Sequence, residues 1–444
     1  MLNFFIHYKI VLRKSYISVN GTAMTRSDDR SSHKALRHLN NGEMCTGVSQ
    51  PELLQELIDD LVRLYDRGRF EEIVSKVTHS VKLFPEALPL FDIMGQANTA
   101  LKKYQAAIDS YKQMLRIKPD HEEAYHSMGN VLTEMGELDP AIKCYKRAVE
   151  IKPDYAEAYS SLGIVLKSKF ELDTALYEHL KKAFKIQSDP VNAIIDEKNN
   201  LQNNRDLEAA RDSLEKAVRI KPTLAEARHL LASINGKTPK SAPKAYVKEL
   251  FDEYAPKFEQ SLVRALEYNA PKDLAKIITT KQPIEALGSV LDLGCGTGLA
   301  GVELKQFCSN LEGIDLSNAM IEQARSKNVY DRLTQSDILD YLSTAELDFD
   351  YFIATDVFIY VGELTNVFHL IKSRNKRKGH LAFSTEHTER ESFFLETSGR
   401  YSHSLSYIEG LCKKIDCRVS HFTKTDLRKE KGGFLVGGLY VVDF

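Results

Sequence analysis

The chain has 444 residues, 43% hydrophobic and 27% charged, with a formal net charge of −2. That length exceeds one ordinary core, so two or three domains are expected, and the small net charge leaves no global field selecting nucleic acid or an anionic membrane. No run approaches a membrane span, and Cys45, Cys144, Cys295, Cys308, Cys412 and Cys417 show no CxxC or paired Cys/His spacing, which speaks against a metal site or a disulfide scaffold.

Residues 1–50 read as a disordered or targeting tail. The first 27 residues hold Lys9, Arg13, Lys14 and Arg26 without an acid, a composition compatible with an organelle presequence; the other reading is a plain tail, or a start at Met24. The expected location is cytoplasmic, in keeping with the scattered thiols, and mitochondrial if residues 1–27 are a presequence.

Residues 51–236 are repetitive. HSVKLFP, QMLRIKPD, RAVEIKPD, KAFKIQSD and KAVRIKP recur, with Pro85, Pro119 and Pro153 spaced 34 apart. Gly95, Gly129 and Gly163 keep step, as do Ala107, Ala141, Ala175 and Ala210, and Tyr111 with Tyr145. Small residues let paired helices approach closely, and each proline ends one unit and opens the next. This pattern resembles tetratricopeptide repeats, about five of them with a capping helix from Leu224 to Ile234. The resemblance implies an all-α solenoid whose groove takes a protein or peptide partner. Asn130 suits a carboxylate clamp for chaperone tails, but His126 stands where that clamp needs a lysine, so substrate docking or assembly is the expected role.

Residues 237–282 read as a linker followed by lid helices. NGKTPKSAP (235–243) carries a glycine, two prolines and small polar residues; Tyr246, Leu250, Tyr254, Phe258 and Leu262 then recur at near-helical spacing. The aromatic stripe fits either a core-packed helix or a lid over a cofactor pocket.

Residues 283–444 alternate short apolar runs with helical patterns, as in a parallel sheet with crossover helices. SVLDLG, LEGIDL, LTQSDI, DYFIATDV and GHLAFST read as strands one to five. CRVSHFTKTDLR and GFLVGGLYVVDF follow as an antiparallel pair joined by EKGG. The loop VLDLGCGTGLAG supports two frames: GxGxG through Gly294, Gly296 and Gly298, or the dinucleotide fingerprint GxGxxG through Gly296, Gly298 and Gly301. Asp292 ahead of the glycines and the terminal hairpin favour the first frame, because a carboxylate gains nothing at a phosphate site. No Gly-Lys-Ser/Thr follows, which excludes a P-loop.

The element LFDxYAxxFE (Leu250 to Glu259), LDLGCGTG, GIDLSNAMIEQA, ATDVFIYVGEL and GRYSHS together resemble predicted class I methyltransferases that carry tetratricopeptide repeats. KSRNKRKGH departs from the Pro-Gly-Gly turn of such proteins and reads as a solvated loop. The fold implied is a helical solenoid followed by a Rossmann-like α/β domain with a terminal antiparallel hairpin, and the cofactor is S-adenosylmethionine. Its binding set would be Asp292 at the positive end, Gly294, Cys295 and Gly296 along the methionine part, Asp315 and Leu316 at the ribose, Asp337 and Ile338 at the adenine, and Tyr254 near the sulfonium. Cys295 has no adjacent base and reads as a small filler. Strand-end candidates for the acceptor side are Thr355, Asp356, Tyr360, Glu386, His387, Arg400, Tyr401 and His403. Of these Asp356, Tyr360 and His403 are the expected catalytic set, with His403 first because imidazole titrates near neutrality. No metal is expected, and the acceptor is unspecified. The alternative is an interaction scaffold whose methyltransferase-like domain is weakly active or inactive; a dinucleotide oxidoreductase is the remaining one.

Overall fold

The computed structural model describes residues 49–183, 190–259, 267–280, 287–430 and 433–444. Residues 1–48, most of the expected tail or targeting segment, lie outside the described residues, as do 184–189 of the expected repeat array, 260–266 and 281–282 of the linker and lid stretch, 283–286 at the start of the expected α/β domain and residues 431–432 of the expected EKGG turn. The chain forms two compact units, Met1–Lys169 and Phe170–Phe444.

The first unit is built from α1 (Gln50–Asp66), α2 (Phe70–Ser80), α3 (Leu88–Ala100), α4 (Tyr104–Ile117), α5 (Glu122–Glu134), α6 (Leu138–Ile151) and the start of α7 (Ala156–Ala183). A capping box of Ser49 and Glu52 with Pro51 in the first turn starts α1. The repeated small residues do the work expected of them. A Cβ added to Gly95 would stand 2.6 Å from the Tyr111 ring, and one on Gly129 the same 2.6 Å from Tyr145. Ala107 and Ala141 are fully buried. Pro85, Pro119 and Pro153 sit in the turns between pairs.

The fourth and fifth expected units depart from the helix–turn–helix pattern. The turn inside each of the first three units is made by a residue in the left-handed region: Gly68 (φ +70°), Lys102 (+58°) and Gly136 (+80°). The next position in that 34-residue series is Phe170, for which the left-handed conformation is costly, and α7 runs through it without a break. Arg205 occupies the matching place in the fifth unit, inside the long α8 (Pro190–Ile220). Two long helices therefore replace two short pairs, and α9 (Ala225–Ile234) follows.

The second unit continues with α10 (Lys244–Tyr254), a 3-10 turn at Ala255–Lys257 and α11 (Ala270–Thr279). The α/β part then runs β1 (Gly288–Leu293), α12 (Leu299–Leu304), β2 (Cys308–Asp315), α13 (Asn318–Ser326), β3 (Arg332–Gln335), α14 (Ile338–Thr344), β4 (Tyr351–Ala354), α15 (Thr365–Arg374) and β5 (His380–His387). It closes with β6 (Phe393–Leu395), β7 (Tyr401–His403), α16 (Leu405–Lys414), β8 (Arg418–Glu430) and β9 (Gly433–Asp443). Strands β3, β2, β1, β4 and β5 lie side by side in parallel, β9 adds antiparallel to β5, and β8 pairs β9. The crossover at β1 opens a crevice beyond the carboxyl ends of β1 and β4, the usual ligand position of such sheets. One sheet face packs Phe352, Phe358, Phe368 and Phe383 under α14 to α16; the other packs Val290, Leu311 and Ile353 against Leu274 of α11 and Leu304 of α12. GRYSHS is in part strand β7, which pairs the end of β5 at Glu386 and His387. Among the described residues no helix is long and apolar enough to cross a membrane.

Candidate functional site

The loop after β1 is shaped by three glycines in the left-handed region: Gly294 (φ +73°), Gly296 (+53°) and Gly298 (+88°). The N–H groups of Gly294 and Cys295 both donate to the Ile314 carbonyl at 2.8 Å, which fixes the loop to β2. At the end of that strand the Asp315 carboxylate accepts from Gly296 N–H (2.9 Å, Oδ2) and Ser317 N–H (2.8 Å, Oδ1). Burial pushes its pKa up to about 6, with those backbone donors opposing. The space where a Gly296 Cβ would stand is open, with no atom within 4 Å. Gly301 lies in α12, where a Cβ would fall 2.5 Å from the Tyr330 ring, so this glycine serves helix packing.

A cavity of about 590 Å³ lies beyond these strand ends. Of the expected cofactor and catalytic sets all but Asp292 and His403 border it: Gly294, Cys295 and Gly296, then Asp315, Leu316, Asp337 and Ile338, and also Tyr254, Asp356 and Tyr360; of the other strand-end candidates Thr355 and Arg400 border it, and Glu386, His387 and Tyr401 do not. Asp337 caps α14, accepting from Leu339 N–H (3.0 Å) and Asp340 N–H (3.2 Å), and pairs with Lys244 at 3.0 Å.

Asp292 is 1% exposed and sits outside the cavity lining. The Tyr330 hydroxyl donates to its Oδ2 at 2.7 Å, and Oδ1 has no hydrogen-bond partner among the described residues. Burial pushes this carboxyl up to about 7, opposed by Tyr330. Tyr330, which the sequence reading passed over, thus covers the acid expected at the cofactor's positive end.

His403 also departs from expectation. It is fully buried in β7, and its Nε2–H donates to the carbonyls of Gly362 (2.8 Å) and Val361 (3.1 Å). Burial lowers its pKa to about 4, so the ring is neutral near pH 7. It tethers the turn that follows Tyr360 instead of facing an acceptor. The strand pairing of GRYSHS, invisible in a polar hexapeptide, explains the difference.

The aromatic stripe of α10 borders the cavity through Tyr246, Phe251 and Tyr254. Phe251 meets the Tyr360 ring edge-on at 5.3 Å, and Tyr254 meets Phe258 at 5.6 Å. Two charged contacts fix this helix over the sheet. Asp252 accepts from the Ser317 hydroxyl at 2.6 Å at the start of α13, where a negative charge suits the helix dipole. Lys244 reaches Asp337 and Asp340 on α14. The preceding strap holds the Tyr360 loop: Ala242 N–H donates to Tyr360 O (3.0 Å) and Glu363 N–H to Lys240 O (2.8 Å). From α9, His229 Nε2–H donates to Gly399 O at 2.7 Å, between the cavity-lining residues Ser398 and Arg400.

The cavity wall at Asp356, Arg400 and Arg428 carries a charged chain. Arg428, with its side chain 4% exposed, forks from β8 to Asp356 Oδ2 (2.6 Å) and Glu386 Oε1 (2.6 Å), and Arg400 Nε reaches the same Glu386 oxygen at 2.5 Å. Asp356 holds a left-handed backbone (φ +55°), fixed by its N–H donating to Ser384 Oγ (2.8 Å), while that hydroxyl donates back to Oδ1 (3.2 Å). A strained residue so fully tied marks a site where position matters. Arg428 was not expected from the sequence. A bulge between Asp426 and Arg428 turns Leu427 and Arg428 inward together, and Gly437 on β9 makes the room: a Cβ there would lie 2.2 Å from Leu427. A glycine pair opposite a charged strand was the available signal.

A family model described as TPR repeat matches residues 95–136 and 129–169, and one described as methyltransferase domain matches residues 284–423. No curated protein matches the chain. Solved structures similar to it include magnesium protoporphyrin IX methyltransferase from Synechocystis PCC 6803 with bound SAH, at 16% identity, 45% of this chain and 98% of that one, TM-score 0.36. An S-adenosylmethionine-dependent methyltransferase from Clostridium acetobutylicum matches at 18% identity, 44% of this chain and 99% of that one, TM-score 0.33. MamA from Desulfovibrio magneticus RS-1 matches at 19% identity, 41% of this chain and 82% of that one, TM-score 0.30. The chain carries tetratricopeptide repeats and, after them, a methyltransferase domain.

Proposed function

We propose that the cavity binds S-adenosylmethionine, that the domain transfers its methyl group to an acceptor, and that the repeat array recruits a protein partner or substrate. The observation that carries the reading is Asp315: a carboxylate at the end of β2, oriented by Gly296 N–H and Ser317 N–H, on the wall of an apolar cavity next to an open glycine backbone. This acceptor set fits a ribose diol beside a zwitterionic chain.

When bound, S-adenosylmethionine supplies an electrophilic methyl group on a sulfonium. Asp315 would accept from the ribose hydroxyls, Ile338 would wall the adenine, and Asp337 would stand beside its amine. Gly294 and Gly296 let the methionine part lie against the backbone. Tyr254 and Phe251 offer ring faces to a positive charge and keep water away. Methyl transfer is an in-line displacement, so holding the two reactants in register supplies most of the rate. Tyr360, clamped by the strap, and Asp356, clamped by Arg428, shape the acceptor side. Both Asp356 oxygens are already engaged, which suits a positioning role better than proton removal.

A thermal-shift titration tests the cofactor. A ligand at 100 times its Kd stabilises by about 2.7 kcal/mol. S-adenosylmethionine and S-adenosylhomocysteine should each raise the melting temperature, NAD(P) should not, and Asp315→Ala should remove the shift. No shift with either sulfur nucleotide, or a shift with NAD(P) alone, would sink the reading. Recruitment is tested with methyl-labelled cofactor in cell extracts supplied with the wild-type chain or Asp315→Ala. Labelled protein is expected only with the wild type; label confined to small molecules would refute the recruiting role.

A further inference from the structure

We propose that Cys412 and Cys417 form a redox-active dithiol that closes to an intramolecular disulfide on exposure to a hydroperoxide. The site lies where α16 turns into β8 and stands apart from the cofactor reading. The sequence stretch is CKKIDC, and the turn is built by its fifth residue. Asp416 adopts the left-handed conformation (φ +54°), and the N–H of Cys417 donates back to the carbonyl of Cys412 at 3.0 Å. A six-to-one bond across a left-handed residue is the Schellman ending of a helix, which brings the side chain after the turn against one in the last helical turn. In most helices that contact is between two apolar groups. Here it is between two thiols.

The two thiols are not equivalent. Cys412 is 3% exposed and belongs to the core under α16, while Cys417 is half-buried and only borders that core. The Cys412 thiol donates its hydrogen bond to the Cys417 sulfur, which lowers the Cys417 pKa, and the nearby Lys372 ammonium lowers it further. Burial of Cys417 opposes these effects, as does the Asp416 carboxylate, which lies 3.9 Å from Lys372 while the Asp416 carbonyl holds that ammonium. The same hydrogen bond, burial and the Glu409 carboxylate raise Cys412. Cys417 is therefore the nucleophile and Cys412 the resolving thiol, an arrangement in which a thiolate is accessible and its partner waits beside it.

The chemistry balances with hydrogen peroxide as oxidant. The Cys417 thiolate attacks one peroxide oxygen, a sulfur–oxygen bond forms and the oxygen–oxygen bond breaks, and the departing hydroxide takes a proton to become water. The Cys412 sulfur then attacks the Cys417 sulfur of the sulfenic acid. A sulfur–sulfur bond forms, the sulfur–oxygen bond breaks, and the second hydroxide leaves as water with the Cys412 proton. Two thiols lose two electrons and one peroxide becomes two waters. In a reducing compartment such a bond is transient, formed under oxidant and reversed by thiol exchange.

The test uses the reduced full chain with one equivalent of hydrogen peroxide, followed by alkylation and mass spectrometry. The expected result is the loss of two alkylatable thiols, with a cross-linked peptide joining Cys412 to Cys417 that dithiothreitol releases. In Cys412→Ser, which cannot resolve, dimedone should trap a sulfenic acid at Cys417; in Cys417→Ser no adduct should form at Cys412. Full alkylation of both residues after peroxide, or dimedone labelling at Cys412 instead of Cys417, would overturn the proposal. The wild-type peptide map decides the matter even if a serine variant fails to fold.

Discussion

Arg428→Met is the substitution with the most explicit expected cost. The guanidinium joins two carboxylates at 2.6 Å each, in a wall where the Asp356 and Glu386 side chains are 12% and 5% exposed. Removing one partner of a buried pair leaves an uncompensated charge and costs about 3–5 kcal/mol. Glu386 keeps Arg400 at 2.5 Å, so the loss belongs at the lower end of that range. A value of about 3 kcal/mol corresponds to a fall of roughly 6–12 °C in the melting temperature of a domain this size. Guanidinium unfolding of the full chain, following the transition of the C-terminal unit, measures it. Arg428→Lys keeps the charge but not the fork and should fall between the two. The pair Arg428→Met with Asp356→Asn should recover part of the loss, because the stranded charge is gone. A cost below about 1 kcal/mol, or no recovery in the pair, would refute the view that a buried ion chain holds this wall.

Three further outcomes follow from the structure. His403 keeps its proton off until about pH 4 in the fold, whereas an unfolded imidazole binds one near 6.5. Between those values the unfolded state holds the extra proton, so stability contributed at neutral pH falls on acidification, by about 3 kcal/mol in all; His403→Phe should flatten that part of the pH profile in chemical unfolding. Asp315, raised to about 6, must be ionised to accept from a ribose diol, so S-adenosylhomocysteine affinity by calorimetry should rise with pH through that value. Binding should be about tenfold weaker at pH 5 than at pH 7, and a flat profile would remove Asp315 from the ribose contact. Gly129→Ala puts a Cβ 2.6 Å from the Tyr145 ring and should destabilise the repeat unit by about 1–3 kcal/mol in thermal unfolding, with no effect on cofactor binding.

The repeat spacing and the succession of strands along the chain were legible because both are set by local chemistry repeated many times: a 34-residue beat of glycine, alanine and proline, and apolar runs ending in acids. The loop geometry was legible for the same reason, since three left-handed glycines leave few alternatives. What escaped was set by single residues acting at a distance. Phe170 in place of a turn residue merged two short helices into α7, a change hidden inside an otherwise regular repeat. Tyr330 closed over Asp292 from a loop after α13, and no pattern near either residue points to the other. Arg428 reached the cavity only because a bulge rotated it inward, and His403 left the candidate set because a polar hexapeptide became a strand. Position on the carboxyl side of the sheet was readable; which side chains face the cavity depended on bulges and edge pairings that single-strand patterns do not encode.

The most direct test of the central reading is a crystal structure of the full chain grown with S-adenosylhomocysteine. The expected density places the ribose hydroxyls on Asp315, the adenine against Ile338 and the sulfur beneath the aromatic rings of α10. Ligand density elsewhere, or a cavity that stays empty at saturating ligand while the protein remains folded, would contradict it.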